Sequence, residues 1–285
     1  MAGKTVFTLT SGRSGTLSLS GLLRQNTRNC IVMHEPYLHL GNPTMFGLPI
    51  YDHFVKNSDA IRKLVKQKHE TIKRYRLPIY IETSHSFLKS YWDIAPEYFP
   101  QMKFLHMIRH PLEVARSEAN RDTLINRWRL PFRYYRGRDS RKYFRWALTG
   151  REVIFAGFDL EHLTLFQRYL IQWIEIENRA IEFLGRFDMK PSCMTLHTPR
   201  DLKDSQLILK LLHFLEIEPI SDEVILPGIR NRTPGNPTVI GDEERRQCRE
   251  IIEKIPASYL EIFQHEPYAS SQWSGLLQKQ EYLTE

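Results

Sequence analysis

The sequence predicts an α/β fold, a central parallel sheet flanked by helices. Short apolar runs rich in β-branched and aromatic residues alternate with segments of helical period, the pattern of strands joined by covering helices. Apolar residues make up 41% of 285 residues, enough for a sizeable core and too many for a disordered chain. A Gly/Ser turn stands directly between the first strand pattern and the first helix pattern. No repeat, linker or composition break divides the chain, so residues 1–285 are read as a single domain. Its one expected embellishment is a helical insertion around 121–150.

In chain order, the first strand is expected at Thr5–Thr10, where polar and apolar residues alternate. Lys4 is the one basic residue before it, and no apolar stretch of the roughly 7–15 residues typical of a leader follows. The segment is therefore read as part of the fold, and the chain as cytoplasmic. Further strands are expected at Cys30–His34, Pro78–Thr83, Lys103–Arg109 and Ser192–His197. The first helix is expected at Thr16–Arg24, and a long basic one at Asp52–Tyr75. Pro111–Arg121 opens with proline in its first turn, where the missing N–H is not needed. Asp159–Leu184 has Asp159 as expected N-cap, Gly185 as stop, and Leu163, Phe166, Leu170, Trp173 and Ile174 on one face. That stripe assigns Trp173 to the core rather than to a cofactor. Leu207–Leu215 and Asp242–Ile255 complete the helices, and 227–236 reads as a loop.

Composition excludes several classes. No apolar run approaches the roughly 18 residues of a membrane-spanning helix. Three widely spaced cysteines (Cys30, Cys193, Cys248) form neither a disulfide scaffold nor a metal-ligand spacing. Residues 127–146 hold eight basic residues and one acid, and so account for the whole net charge of +7. Seven aromatics lie among those bases. The segment is either a solvated helix pair packed on the body or a surface that meets an anionic partner, with nucleic acid not expected.

The chemistry concentrates at Thr8–Ser18. Here a strand meets a tight turn, Ser11-Gly12-Arg13-Ser14-Gly15, and then a helix beginning Thr16-Leu17-Ser18. The two glycines allow successive N–H groups to point into one concavity, and the helix N-terminus adds partial positive charge. This P-loop-like arrangement suits a phosphate. It lacks the lysine and spacing of a Walker A loop. The strand at 103–109 ends in Arg109, where a magnesium-using enzyme would place an acid. Phosphate binding without a metal is the expectation.

With those residues in view, the chain resembles the sulfotransferase superfamily, enzymes that use 3′-phosphoadenosine 5′-phosphosulfate. Ser11–Ser18 resembles that family's 5′-phosphosulfate loop. Met107–Ser117 resembles its 3′-phosphate motif, with Arg109 at a strand end and Ser117 eight positions on. Leu211–Glu218 resembles the end of a family helix, and Arg230-Asn231-Arg232-Thr233-Pro234 the basic loop that closes over the cofactor. The Arg-Ser-Gly-Thr form is more similar to carbohydrate and tyrosylprotein sulfotransferases than to the phenol type, which carries lysine there.

The resemblance implies roles. Ser11, Gly12, Arg13, Ser14, Gly15, Thr16, Leu17 and Ser18 would hold the 5′ end, with Arg13 stabilising the leaving phosphate. Arg109 and Ser117 would grip the 3′-phosphate, and Arg230, Arg232 and Thr233 would clamp the ligand. The product would be 3′-phosphoadenosine 5′-phosphate, with no metal. The acceptor hydroxyl must lose a proton, and two residues compete as base: Glu35 after the second strand and His85 after the third. Glu35 is the narrow preference. The acceptor is expected to be a small molecule, glycan or amphiphile, its site shaped by 36–60 and the insertion. A P-loop kinase and a non-enzymatic anion or nucleic-acid binder remain as alternatives.

Overall fold

The computed structural model describes residues 3–36, 41–221, 223–226 and 239–279. Five strands form one parallel sheet: β1 (Lys4–Leu9), β2 (Cys30–Met33), β3 (Ile79–Glu82), β4 (Met102–Ile108) and β7 (Cys193–His197). Their order across the sheet is β2-β3-β1-β4-β7. The chain moves outward from β1 to β2, returns through β3, and crosses to β4 on the other side. The end of β1 therefore lies at the reversal of strand order, where sheets of this class open a crevice at their carboxyl edge.

Alternation along β1 divides the core. Phe7 and Leu9 pack with Tyr80 and Phe104 on one face. Val6 packs with Ile81, Leu105 and Met107 on the other. Helix α1 (Thr16–Asn26) covers that second face through Leu19, Leu22 and Leu23, together with α7 (Ser205–Phe214). The first face is covered by α3 (Ser58–Lys73), the short α4 (Phe87–Ser90) and part of α6 (Leu165–Arg186). A further cluster joins α5 (Pro111–Arg127), α6 and α8 (Asp242–Lys254). Trp173 lies inside it, fully buried and stacked on Phe263 with centroids 5.4 Å apart.

Three expectations need correction. The long helix at 52–75 is two helices, α2 (Leu48–Phe54) and α3. Lys56 turns left-handed at φ 57°, and Asn57 donates to the Asp52 carbonyl (2.8 Å) and side chain (3.2 Å), which breaks the ladder between them. Helix α6 starts at Leu165, because Thr164 and Gln167 form a reciprocal capping box; Asp159 instead serves a preceding turn by accepting from the Glu161 N–H. It also runs one residue past Gly185.

The insertion is helical only to Arg127. Beyond it the antiparallel strands β5 (Tyr134–Arg136) and β6 (Lys142–Phe144) form a hairpin, with Tyr135 opposite Tyr143 and Tyr134 opposite Phe144. Aromatic cross-strand pairs favour this form. At Gly137 a Cβ would lie 2.6 Å from Asp139 and 2.8 Å from Tyr143, so the turn admits no side chain there. Arg138 pairs with Asp52 through two hydrogen bonds, 2.6 and 2.9 Å, anchoring the hairpin to α2.

Candidate active site

All five strands of the parallel sheet deliver their carboxyl ends to one edge. β1 leads into Ser11–Gly15, β2 into His34 and Glu35, β3 into His85, β4 into Arg109, and β7 into Thr198. The edge thus gathers residues that the sequence scatters over nearly two hundred positions.

The turn after β1 has Gly12 at φ 118°, Arg13 at 53° and Gly15 at 92°. The carbonyls of residues 12–15 are tied into the protein. Gly12 O accepts from Ser14 Oγ (3.1 Å), Arg13 O from Arg109 Nη1 (3.0 Å), Ser14 O from Thr198 Oγ1 (2.8 Å) and Gly15 O from the Leu19 N–H (2.9 Å). A trans peptide sets each carbonyl opposite the next residue's N–H. The N–H groups of Arg13, Ser14, Gly15 and Thr16 therefore face away from those anchors. Helix α1 begins there with Gly15 as N-cap and no side-chain cap. Its first N–H groups have no acceptor within the helix, so the turn and helix together present a row of donors suited to a phosphate.

Close packing behind the turn requires Gly12. A Cβ at that position would fall 2.6 Å from Glu118 Oε1 and 3.2 Å from His85 Cγ. The turn consequently rests directly on His85 and Glu118. Glu118 is buried and ion-paired with Arg121, one turn further along α5.

Arg13, Arg109 and Ser117 come together at this edge. Arg13 Nε donates to Ser117 Oγ (2.9 Å), while Arg109 holds the Arg13 carbonyl. Burial pulls the Arg13 guanidinium below its ordinary pKa. The Arg109 fork is engaged by Glu113, with Nε and Nη2 donating to Oε2 at 3.0 and 2.8 Å. A phosphate that takes the Nε and Nη2 edge of that fork would displace the carboxylate, which is partly exposed and one helical turn away. Arg230, Arg232 and Thr233 lie outside the described residues.

Glu35 and His85, the two candidate bases, are neighbours. Their strands are adjacent, with Met33 opposite Glu82, and His85 Nε2 lies 3.2 Å from Glu35 Oε1. Glu35 sits at φ 46°, in the left-handed region. Burial raises its carboxyl pKa, but the His85 contact and the charges of His85, His34 and Arg121 outweigh this and hold it down to about 2. His85 is 2% exposed; burial first and Lys89 second push its pKa down to about 4, despite Glu35. At neutral pH the pair is therefore a carboxylate beside a neutral imidazole. His34 is bound to the end of β3, its Nδ1 2.7 Å from Thr83 O, as a tied strand-end residue would be.

A small pocket opens beside Glu35, bounded by Pro43, Met45 and Phe46 and by the hydroxyls of Ser84 and Ser86. Segment 41–47 is held from the insertion, where Arg145 O accepts from the Gly47 N–H (3.0 Å) and Arg145 Nη2 donates to Thr44 (3.2 Å). At the pocket's polar end Lys68 and Glu82 form a fully buried ion pair of 2.5 Å.

Lys89, Glu118 and Arg121 had no signal in the sequence. Lys89 stands four residues after His85, and the Glu118/Arg121 pair is spaced i, i+3. Both spacings are common on helix surfaces, and only folding shows that Lys89 and Glu118 are buried and that Arg121 pairs with Glu118.

No family model matches the chain, and no curated protein matches it. Among solved structures it is similar to the sulfotransferase domain from the Curacin biosynthetic pathway, at 17% identity and TM-score 0.47, covering 82% of this chain and 81% of that one. The sulfotransferase domain from the Synechococcus PCC 7002 olefin synthase matches at 15% identity and TM-score 0.45, covering 82% and 80%. A sulfotransferase from Alicyclobacillus acidocaldarius matches at 15% identity and TM-score 0.46, covering 91% and 96%. Likeness of this degree assigns no chemistry to the chain.

Proposed function

We propose that this protein transfers a sulfuryl group from 3′-phosphoadenosine 5′-phosphosulfate to an acceptor hydroxyl. The observation that carries the reading is the anchoring of the Gly12–Gly15 carbonyls, which leaves the opposed N–H groups at an uncapped helix start. Arg13, Arg109 and Ser117 stand beside that row of donors. The donor supplies a sulfuryl group whose departing partner is already a stable phosphate anion. The turn would hold the 5′ end, while Arg109 and Ser117 would hold the 3′-phosphate once Glu113 is displaced. Arg13 would neutralise charge on the bridging oxygen, through a planar fork of donors rather than by giving up a proton. The Glu35–His85 pair would take the acceptor proton as the new S–O bond forms and the bridging S–O bond breaks.

The acceptor hydroxyl would approach Glu35 by the small pocket beside it, which has room for little more than the reacting group, while the rest of the acceptor (a small molecule, glycan or amphiphile) would lie outside it. Before the basic hairpin, Arg127 at the end of α5 and Arg129 have no acidic ion-pair partner among the described residues, and Trp128 between them is 60% exposed. This stretch would meet an anionic surface or acceptor.

Titration calorimetry with adenosine 3′,5′-bisphosphate tests this reading. Binding is expected to be indifferent to EDTA. Arg109→Ala is expected to weaken it by roughly 10- to 100-fold, the worth of a charged hydrogen-bond pair. Glu113→Gln, which frees the Arg109 fork, is expected to tighten it. Unchanged affinity in Arg109→Ala, or binding of ATP only with magnesium, would refute the assignment.

A further inference from the structure

We infer that Lys89 is a positioning residue that fixes the His85 ring as its Nε2–H tautomer, leaving Glu35, and not His85, to take the acceptor proton. The last clause rests on the proposed sulfuryl transfer; the tautomer does not.

Two contacts on opposite sides of the ring point to the same tautomer. On one side, Lys89 Nζ lies 3.0 Å from His85 Nδ1 and donates to the Trp146 carbonyl at 2.7 Å. Lys89 is fully buried on α4, and the charged groups around it are Glu118, Arg121, Glu35 and Arg179. An ammonium has only donors, so His85 Nδ1 must carry a lone pair. On the other side, Nε2 lies 3.2 Å from Glu35 Oε1, close enough to feel its charge although the two are not aligned as a hydrogen bond. A bare Nε2 would set its lone pair against that negative charge. Nε2–H removes the conflict and places a donor toward Glu35.

Burial lowers the Lys89 pKa to about 7, so a neutral amine is also accessible. A neutral Lys89 could accept from Nδ1–H, but that tautomer restores the repulsion at Glu35. The carboxylate therefore disfavours that alternative, and the ammonium form of Lys89 excludes it, so the ring state is fixed by the two contacts together.

With Nδ1 engaged by Lys89 and Nε2 protonated, the imidazole has no lone pair to offer an acceptor hydroxyl. Glu35 retains that capacity and borders the pocket. The acceptor proton passes to a Glu35 oxygen while the acceptor oxygen bonds to sulfur. The electron pair of the broken S–O bond leaves on the 5′-phosphate.

Nitrogen-15 NMR of the ring reads the tautomer directly in the full-length protein, with His85→Gln used only to assign the signal. At neutral pH the wild type is expected to show a pyridine-type Nδ1 and a pyrrole-type Nε2. Lys89→Met is expected to mix the two tautomers. It should also lower kcat on the order of 10²-fold, as misplaced imidazole protons do, with unchanged affinity for adenosine 3′,5′-bisphosphate. Lys89→Gln, which keeps an N–H donor, is expected to recover part of both losses. A pyrrole-type Nδ1 in the wild type would overturn the inference even if the variants fail to fold. An unshifted tautomer in folded Lys89→Met would also overturn it. Because the ring signals need no donor, a failure to detect sulfuryl transfer would count against the proposed function alone.

Discussion

Arg13→Ala is expected to lower kcat by roughly 10²- to 10³-fold, the usual cost of removing a group aimed at charge that develops in the transition state. The position explains the size. Arg13 lies in the turn itself, at φ 53°, its Nε held by Ser117 Oγ and its carbonyl by Arg109. A positive charge held there in advance needs no reorganisation when the leaving oxygen becomes negative. Arg13→Lys is expected to recover only part of the rate, because an ammonium lacks the planar fork. Affinity for adenosine 3′,5′-bisphosphate should fall much less than kcat, since the backbone N–H groups and Arg109 remain. Steady-state kinetics with the donor varied at saturating acceptor separates the two effects. A variant with kcat within a few-fold of the parent would remove Arg13 from the chemistry.

Glu35→Gln is expected to be at least as damaging, at about 10²- to 10⁴-fold in kcat, the range for loss of a positioned base. Glutamine preserves shape and can still meet His85, so nucleotide binding should survive. The pH profile supplies a second reading. Glu35 is held down to about 2 in the free protein, from an ordinary value of 4.5. The carboxylate form should persist well below pH 4.5 and be lost only as pH falls towards 2. Protonation of His85 intrudes first, near its depressed value of about 4. The same shift has a stability sign. His85 takes up a proton near 6.5 when unfolded and only near 4 when folded, so acidification across that window favours the unfolded chain. A conventional acid limb near pH 6.5 would indicate a free, titrating imidazole and contradict the arrangement.

The sequence made the loop legible because its chemistry is local. Glycines, small hydroxyl residues and an arginine between a strand and a helix define a candidate anion site whatever surrounds them. Arg109 was legible as a strand-end residue, whereas Ser117 was singled out only through the family resemblance, and in the structure it meets Arg13. Glu35 and His85 were both visible as strand-end residues, but their pairing was not, because it depends on β2 lying next to β3. Lys89 was hidden for a related reason: α4 is a single turn of four residues with no periodicity to detect. The hairpin at 134–144 was misread because aromatics and arginines at mixed spacing fit a helix face as readily as two short strands. The break at Lys56–Asn57 depends on left-handed backbone and one side-chain bond, and neither interrupts a count of apolar residues.

The account turns on the Ser11–Gly15 turn and Arg109 serving opposite ends of one nucleotide. A crystal structure of the protein with adenosine 3′,5′-bisphosphate tests that most directly. The predicted result places the 5′-phosphate on the N–H groups of Arg13–Thr16 and the 3′-phosphate against Arg109 and Ser117, with Glu113 turned away. A nucleotide bound elsewhere, or one with Arg109 still paired to Glu113 and no phosphate on the turn, would contradict it.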